Sequence, residues 1–351
     1  MPPDLTPNPD AYPQLRVTLE RWWANRTVFR SSPGWGIRLA ILFVLLLFVL
    51  VVLPYLLPLG GPQSVDPMLL MDTNGAFMKL AGEDIYYVHE AGTGPVVFLL
   101  HGFGGSTASW TDTIPTLAAA GYDVYAVDLA GFGLSSKGLD RDYSHRAQAA
   151  RVIRLMDALH IEKATFVGHS MGGNVAAYLA LTYPERVDKL VLVDAAILTD
   201  NGLAVPDILI NLPFVQRWAQ FGLRRIFVPR AGDLIRDAVY DDAAISQNLI
   251  DAYSRVFKTP DWDTGLLGVV RDGDQNALPG SVSNIQAPTL ILWGAEDTWV
   301  PASDGLRLEE LIPNVERVEI AGAGHLPMHE KADQFNTALI DFLDTESKRP
   351  G

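Results

Sequence analysis

The chain contains no cysteine, which removes disulfides, thiolate nucleophiles and every Cys-ligated zinc or iron-sulfur centre from consideration. The same absence is compatible with an oxidising compartment. Charge is also scarce, at 19% of residues against roughly 25% in ordinary globular domains. What charge there is leans acidic: 27 Lys+Arg face 41 Asp+Glu, for a formal net charge of -14. A phosphate-gripping basic face is therefore missing, and no nucleic-acid partner is expected. Neither G-x-x-x-x-G-K-[ST] nor a clean G-x-G-x-x-G followed by an acidic residue occurs, so no nucleotide cradle is expected either. No internal repeat or low-complexity segment is visible. Against these absences stand 351 residues that are 48% hydrophobic, enough chain for one large α/β domain or two modest ones, with a sizeable core.

Part of that hydrophobicity is concentrated. Residues 39–53 read LAILFVLLLFVLVVL without a polar position, and Tyr55, Leu56, Leu57 and Leu59 carry the run past Pro54. The whole reaches about the 20 residues a bilayer core requires. A cleaved signal peptide would have a shorter apolar region and a small-residue cleavage site, whereas Pro58-Leu59-Gly60-Gly61 follows here. The expectation is a single transmembrane anchor over residues 37–59, preceded by a basic segment over 1–36 and followed by a Pro/Gly tether over 60–70. Arg16, Arg21, Arg26, Arg30 and Arg38 precede the span, while Asp66 and Asp72 follow it and the first downstream lysine is Lys79. This asymmetry predicts a cytoplasmic N-terminus and an exocytoplasmic domain, with the lipid bilayer as a partner. Residues 12–30 mix Leu15, Leu19, Trp22, Trp23 and Phe29 with four arginines and read either as a helix on the anionic inner leaflet or as a solvated basic arm. Asn25-Arg26-Thr27, a glycosylation-type tripeptide, would fall on the cytoplasmic side, out of use.

Beyond residue 70, short apolar runs alternate with helical stretches. Residues 77–80 and 85–88 suit a β-hairpin, and residues 96–100, 124–127, 164–167, 189–193 and 290–293 suit strands buried on both faces. Helical stretches such as 145–159 lie between them. Such alternation predicts a mostly parallel sheet, with any ligand beyond the carboxyl ends of its strands.

The chemistry-bearing motifs fall at those strand ends. Gly168-His169-Ser170-Met171-Gly172-Gly173 follows one strand and opens a helix. A serine on such a turn projects its hydroxyl above the sheet, and the flanking glycines admit neighbouring backbone. The hydroxyl needs a base. His325, in the loop Ala321-Gly322-Ala323-Gly324-His325, is the best placed, whereas His89, His145, His160 and His329 read as surface or helix positions. For the carboxylate that orients it, Asp297 follows the strand ending in Trp293-Gly294, and the order Ser, Asp, His matches a hydrolase. Asp194, ending the preceding strand, is the alternative acid. His101-Gly102-Phe103-Gly104-Gly105-Ser106 is a glycine-rich turn that could aim the Phe103 N-H at an oxyanion, with the Met171 N-H as second donor. Asp128-Leu129-Ala130-Gly131-Phe132-Gly133-Leu134-Ser135 reads as structural, with Asp128 and Ser135 tying loops together.

On these motifs, residues 77–343 resemble the α/β-hydrolase superfamily, in its serine-nucleophile branch. The resemblance implies an eight-stranded, mostly parallel sheet with helices on both faces. A helical cap would be inserted over residues 198–285, between core segments 71–197 and 286–346, with a tail over 347–351. It implies no metal and no organic cofactor. Relatives that cleave carbon-halogen bonds or epoxides carry aspartate where Ser170 stands, so carboxylesterases, monoacylglycerol lipases, cofactor-free haloperoxidases and carbon-carbon hydrolases remain. The HGFGG sequence departs from the HGGG of one lipase and esterase branch. Phe214, Trp218 and Phe221 lie in an aromatic stretch of the expected cap and are candidates for an apolar acyl pocket, a bilayer-touching lid or plain cap packing. The combined expectation is a membrane-anchored serine hydrolase of hydrophobic or lipid-like esters. The alternatives are a hydrolase of carbon-carbon bonds in ring-cleavage-type diketones, and an idle hydrolase fold that only binds.

Overall fold

The structure is a computed structural model that describes residues 33–198, 207–275, 277–278 and 280–345. The basic stretch 12–30, its tripeptide and the tail 347–351 lie outside the described residues. The chain divides into two compact units, Met1–Leu57 and Pro58–Gly351.

In the first unit, helix α1 (Pro33–Leu47) continues through a π-helical turn, Phe48–Val52, into a last helical turn, Leu53–Leu56. Pro54 has no N-H to offer the carbonyl of Leu50, four residues back, and its ring crowds that carbonyl. The widened turn sits where that conflict falls. Together Gly34–Leu56 form a 23-residue helix of mean hydropathy 3.1, about 34 Å long at 1.5 Å per residue. It is long and apolar enough to cross a membrane, and its side chains are exposed rather than packed into a core.

The second unit contains, in order, β1 (Gly75–Leu80), β2 (Glu83–Glu90), β3 (Val96–Leu100), α2 (Ile114–Ala119), β4 (Asp123–Val127), α3 (His145–Ala158), β5 (Ala164–His169), α4 (Met171–Thr182) and β6 (Val187–Val193). A helical insertion follows, with α5 (Asp207–Ile210), α6 (Pro213–Gly222), α7 (Ala231–Asp237), α8 (Gln247–Ser254) and α9 (Trp262–Arg271). The chain then returns through β7 (Thr289–Gly294), α10 (Ala302–Leu311), β8 (Val315–Ile320), α11 (Pro327–Glu330) and α12 (Ala332–Asp344).

The eight strands form one sheet in the order β1-β2-β4-β3-β5-β6-β7-β8. β2 pairs antiparallel with both β1 and β4, and every pairing from β4 onward is parallel. The central strands are apolar on both faces, because successive side chains point to opposite sides and both sides are covered. Phe98, Phe166, Leu192 and Ile291 pack with α3 and α4 residues such as Leu155 and Val175. Their neighbours Leu99, Val167, Val193 and Leu292 pack with Ile114 and Leu117 of α2 and with Phe335 and Leu339 of α12. Each such buried side chain contributes about 2 kcal/mol, so the register of β3, β5, β6 and β7 is strongly specified. Their carboxyl ends open on one edge of the sheet, and the insertion between β6 and β7 emerges there.

Candidate active site

Ser170 joins β5 to α4 with φ 51° and ψ -117°, a conformation that costs a non-glycine residue about 1–3 kcal/mol. The surroundings hold it there. The Ser170 N-H donates to the Val193 carbonyl at 2.9 Å, and its own carbonyl accepts from Gly173 at 3.0 Å. A side chain at Gly172 would put its Cβ 2.3 Å from the Leu100 carbonyl oxygen, so α4 can approach β3 only without one. Gly102 is required for the same kind of reason: a Cβ there would lie 3.0 Å from the Ser170 Cβ. The Gly102-Phe103 turn is thereby laid against the serine. Met171 is the first residue of α4, where an N-H has no intrahelical acceptor.

Asp194, Asp297 and His325 follow three adjacent strands, β6, β7 and β8. The loop after β8 reaches back across the sheet edge, so that the His325 ring lies 4.8 Å from the ring of His169, the residue before Ser170. His325 Nδ1 and Asp297 Oδ2 are 2.7 Å apart, both side chains almost fully buried. Asp297 Oδ1 accepts from the Trp299 and Val300 N-H groups at 2.7 and 3.0 Å. Asp297 already accepts two backbone N-H groups and is read as the acceptor in this pair as well, with the imidazole proton on Nδ1 and a lone pair on Nε2.

Asp194 is close by but differently employed. Its ligating oxygen, that of Asp297 and a ring nitrogen of His325 all lie within 4.8 Å of one another. Asp194 Oδ1 accepts the Gly294 N-H at 2.9 Å, while Oδ2 has no donor. Complete burial, followed by the nearby Asp297 charge, pushes its carboxyl well above the usual carboxylate range, so Asp194 is the neutral member of the pair. Carboxylate, carboxyl and imidazole in one cluster also form a conceivable cation-ligating set. With Nδ1 protonated toward Asp297, however, the ring has no lone pair facing a cation there, and the hydrogen bond inside the cluster is that between His325 and Asp297.

Four supports were not legible as site residues. His169 Nε2 donates to the His325 carbonyl at 2.8 Å, and burial, then its neighbour His325, hold the ring well below the ordinary histidine range. It is a neutral prop. Glu330, buried in α11, receives the Gly324 N-H on Oε1 at 2.8 Å and the Tyr240 N-H on Oε2 at 2.7 Å. It thus ties the histidine loop to the insertion, and the His325 N-H donates to the Ala238 carbonyl at 2.8 Å in the same seam. His101, with its proton on Nδ1, donates to the Gly102 carbonyl at 2.7 Å and accepts the Leu129 N-H on Nε2 at 3.0 Å. Burial keeps it below its usual range. Trp299, 48% exposed, sets its ring 5.4 Å from that of His325 at the open side.

A family model described as alpha/beta hydrolase fold matches residues 95–332. The chain belongs to this family. This α/β hydrolase is 29% identical over 268 residues to an uncharacterized hydrolase of Bacillus subtilis, covering 75% of this chain and 95% of that one. It is 30% identical over 282 residues to a 2-hydroxy-6-oxo-6-phenylhexa-2,4-dienoate hydrolase of Comamonas testosteroni, covering 76% and 95%. Among solved structures, a meta-cleavage product hydrolase of Pseudomonas fluorescens superposes with a TM-score of 0.64 at 29% identity, covering 77% of this chain and 97% of the other. Of these three, the Comamonas enzyme is named for a dienoate substrate and the Pseudomonas enzyme for a meta-cleavage product.

Asp128 does tie loops: its oxygens accept the Thr107 and Leu134 N-H groups, each at 2.6 Å, and Ser135 Oγ donates to its carbonyl. His145 and His329, expected at surface or helix positions, are both buried within helices. His329 lies between Asp112, 2.7 Å from Nδ1, and the Tyr253 hydroxyl, 3.2 Å from Nε2, because α11 turns inward against the β3–α2 loop. Phe214, Trp218 and Phe221 lie along α6, each half-buried. The Trp218 and Phe221 rings meet edge to face at 5.9 Å, and the Arg225 guanidinium sits 5.8 Å from the Phe221 ring. A cleft of ≈ 620 Å³ beside Glu316, Asp333 and Asp341 is at the amino ends of β7 and β8, away from all of these groups.

Proposed function

We propose that this α/β hydrolase uses Ser170 as nucleophile, His325 as general base and Asp297 as the orienting acid, and that it hydrolyses a carbon-carbon bond beside a ketone in a conjugated keto acid. The observation that carries the catalytic part is the 2.7 Å His325–Asp297 pair held beside the strained Ser170 turn. The names of the relatives at 30–31% identity support the bond class.

Nε2 of His325 takes the Ser170 proton as Oγ adds to the ketone carbon. The resulting oxyanion lies between the Phe103 and Met171 N-H groups, where one well-aimed donor is worth about 3–4 kcal/mol. Collapse breaks the adjacent carbon-carbon bond, and the proton held on His325 passes to the departing carbon. A carbanion leaves only when conjugation with a second carbonyl receives its electron pair, so the substrate must carry that second carbonyl or its enol. Water, deprotonated by the same histidine, then releases the acid from Ser170.

Ester hydrolysis is the second reading. It requires the same machinery and an alkoxide leaving group, and it is favoured by the apolar helix Gly34–Leu56, which we read as a membrane anchor that would hold the domain near lipid. The basic residues before that helix assign its N-terminal end to the cytoplasm and the hydrolase domain to the exocytoplasmic side. The deciding assay compares kcat/KM of the full chain in detergent on a 2-hydroxy-6-oxo-dienoate with that on p-nitrophenyl esters of increasing acyl length, with Ser170→Ala as control. The dienoate should lead by more than tenfold, and the reverse ranking establishes the ester reading. Failure of the wild type to react with a fluorophosphonate would overturn the assignment of Ser170 itself.

A further inference from the structure

We propose that the α6 stripe Phe214, Trp218, Phe221 and Arg225 is a docking surface for an anionic phospholipid bilayer, rather than the wall of a substrate pocket. This inference rests on the reading of Gly34–Leu56 as a membrane span and goes beyond the proposed reaction.

α6 and the π-helical turn Leu223–Phe227 that continues it carry no buried residue. Residues 214, 218, 221 and 225 recur at helical spacing and so share one stripe. The adjacent stripe faces the domain: Arg224 pairs with the buried Asp263 at 2.7 and 3.1 Å, Phe227 meets Phe257 edge to face, and Leu223 packs on the core. The outer stripe has a different neighbour. Arg225 donates from Nε to the Leu59 carbonyl at 3.1 Å and from a terminal nitrogen to the Pro58 carbonyl at 3.2 Å. Those carbonyls belong to the first residues after Leu57, within three positions of the end of the apolar helix.

A span that ends at Leu56 places Pro58 and Leu59 at the lipid headgroups, and Arg225 with them. The same segment is fastened to the insertion twice more, by the Val65 N-H on the Lys258 carbonyl at 2.7 Å and by Asp72 on Arg255 at 2.7 and 2.8 Å. Residues 58–72 are therefore a strap that holds the insertion where the chain leaves the bilayer. Met68 and Leu69, 61% and 79% exposed, lie on the strap, and Ile226 is 56% exposed beside Arg225. Charge agrees with apolarity. Residues 208–232 contain Arg217, Arg224, Arg225 and Arg230 without a single Asp or Glu, in a chain of net charge -14. Aromatic and aliphatic side chains flanked by arginine are the composition of a helix lying in an anionic interface.

Because the chain lacks cysteine, one introduced thiol can be labelled uniquely. The full chain carrying an environment-sensitive fluorophore at Phe221→Cys, Leu46→Cys or Glu310→Cys is reconstituted in phosphatidylcholine vesicles containing phosphatidylglycerol. Each is challenged with a nitroxide-bearing lipid and with aqueous iodide. Labels at 46 and 221 should be quenched by the lipid nitroxide, and the label at 310 by iodide alone. Trp218→Cys provides a second reporter on the stripe in case the first disturbs folding, with retained fluorophosphonate labelling as the check. Arg225→Glu, added to Phe221→Cys, should abolish most of the lipid quenching at 221. Lipid quenching at 46 without any at 218 or 221 overturns the docking surface while sparing the anchor. Absence of lipid quenching at 46 overturns both.

Discussion

Replacing Asp297 by asparagine keeps the shape of the site and changes one proton. Oδ1 of Asp297 accepts two N-H groups, from Trp299 and Val300 at 2.7 and 3.0 Å, so the asparagine carbonyl oxygen must occupy that position. Its NH2 group is then forced toward His325 Nδ1, 2.7 Å from the present Oδ2. The ring must answer with a lone pair on Nδ1, which moves its proton to Nε2 and leaves no base for Ser170. Turning the amide over would restore the productive tautomer but orphan two buried N-H groups at about 1–3 kcal/mol each. A penalty of about 2–6 kcal/mol corresponds to roughly 30-fold to 10⁴-fold, and removal of an orienting carboxylate elsewhere costs about 10⁴. The expected loss in Asp297→Asn is thus at least ~30-fold. The rate of labelling by a fluorophosphonate reads it without knowledge of the substrate. Asp194→Asn, which replaces a neutral carboxyl by a neutral amide, should cost less than ~10-fold in the same assay. An Asp297→Asn protein within tenfold of wild type, or an Asp194→Asn protein that is the slower of the two, would refute the assignment of Asp297.

The neutral Asp194 also predicts a stability effect. A carboxyl whose folded pKa is raised binds its proton more tightly in the native state, so folding stability falls as pH climbs above the unfolded value of about 3.9. Asp194→Asn should therefore unfold at higher denaturant than wild type at pH 7, with the advantage vanishing near pH 4, and a pH-independent difference would contradict a raised pKa. Glu83 has the opposite sign: Arg151 at 2.6 and 2.8 Å, with Arg141 at 2.7 Å, lowers its carboxyl to about 2. Its contribution, on the order of 2 kcal/mol after screening at its exposed edge, is present above about pH 4.5 and disappears as pH falls toward 2. Glu83→Gln should flatten the acid limb of the melting profile, and an unchanged limb would place acid sensitivity elsewhere. Gly172→Ala drives a Cβ into the β3 backbone and should cost about 1–3 kcal/mol of stability and ~10²-fold in acylation, because the serine and the Met171 N-H shift together. Wild-type acylation in a destabilised protein would mean that the turn relaxes without moving Ser170.

Local order in the sequence was sufficient for the strands, the apolar helix and the serine turn. Apolar runs at residues 96–100, 164–167 and 189–193 are buried on both faces, and a serine between a strand and a helix can be flanked closely only by glycine. Such constraints act over a few residues and leave their pattern in the chain. The choice between Asp194 and Asp297 could not be read that way, since both follow a strand. It depends on which oxygen meets a histidine 28 positions beyond Asp297 and on a Gly294 N-H 100 positions beyond Asp194. His329 looked peripheral until α11 was folded against a residue 217 positions earlier, and Glu330 gained its role from Tyr240, 90 positions away. Phe214, Trp218 and Phe221 announced an aromatic helix, but only Arg225, on carbonyls 166 and 167 positions earlier, shows which way one stripe of it faces. Periodicity and turn chemistry report on neighbours in the chain, whereas a hydrogen-bond partner across the fold is chosen by the packing of the whole sheet.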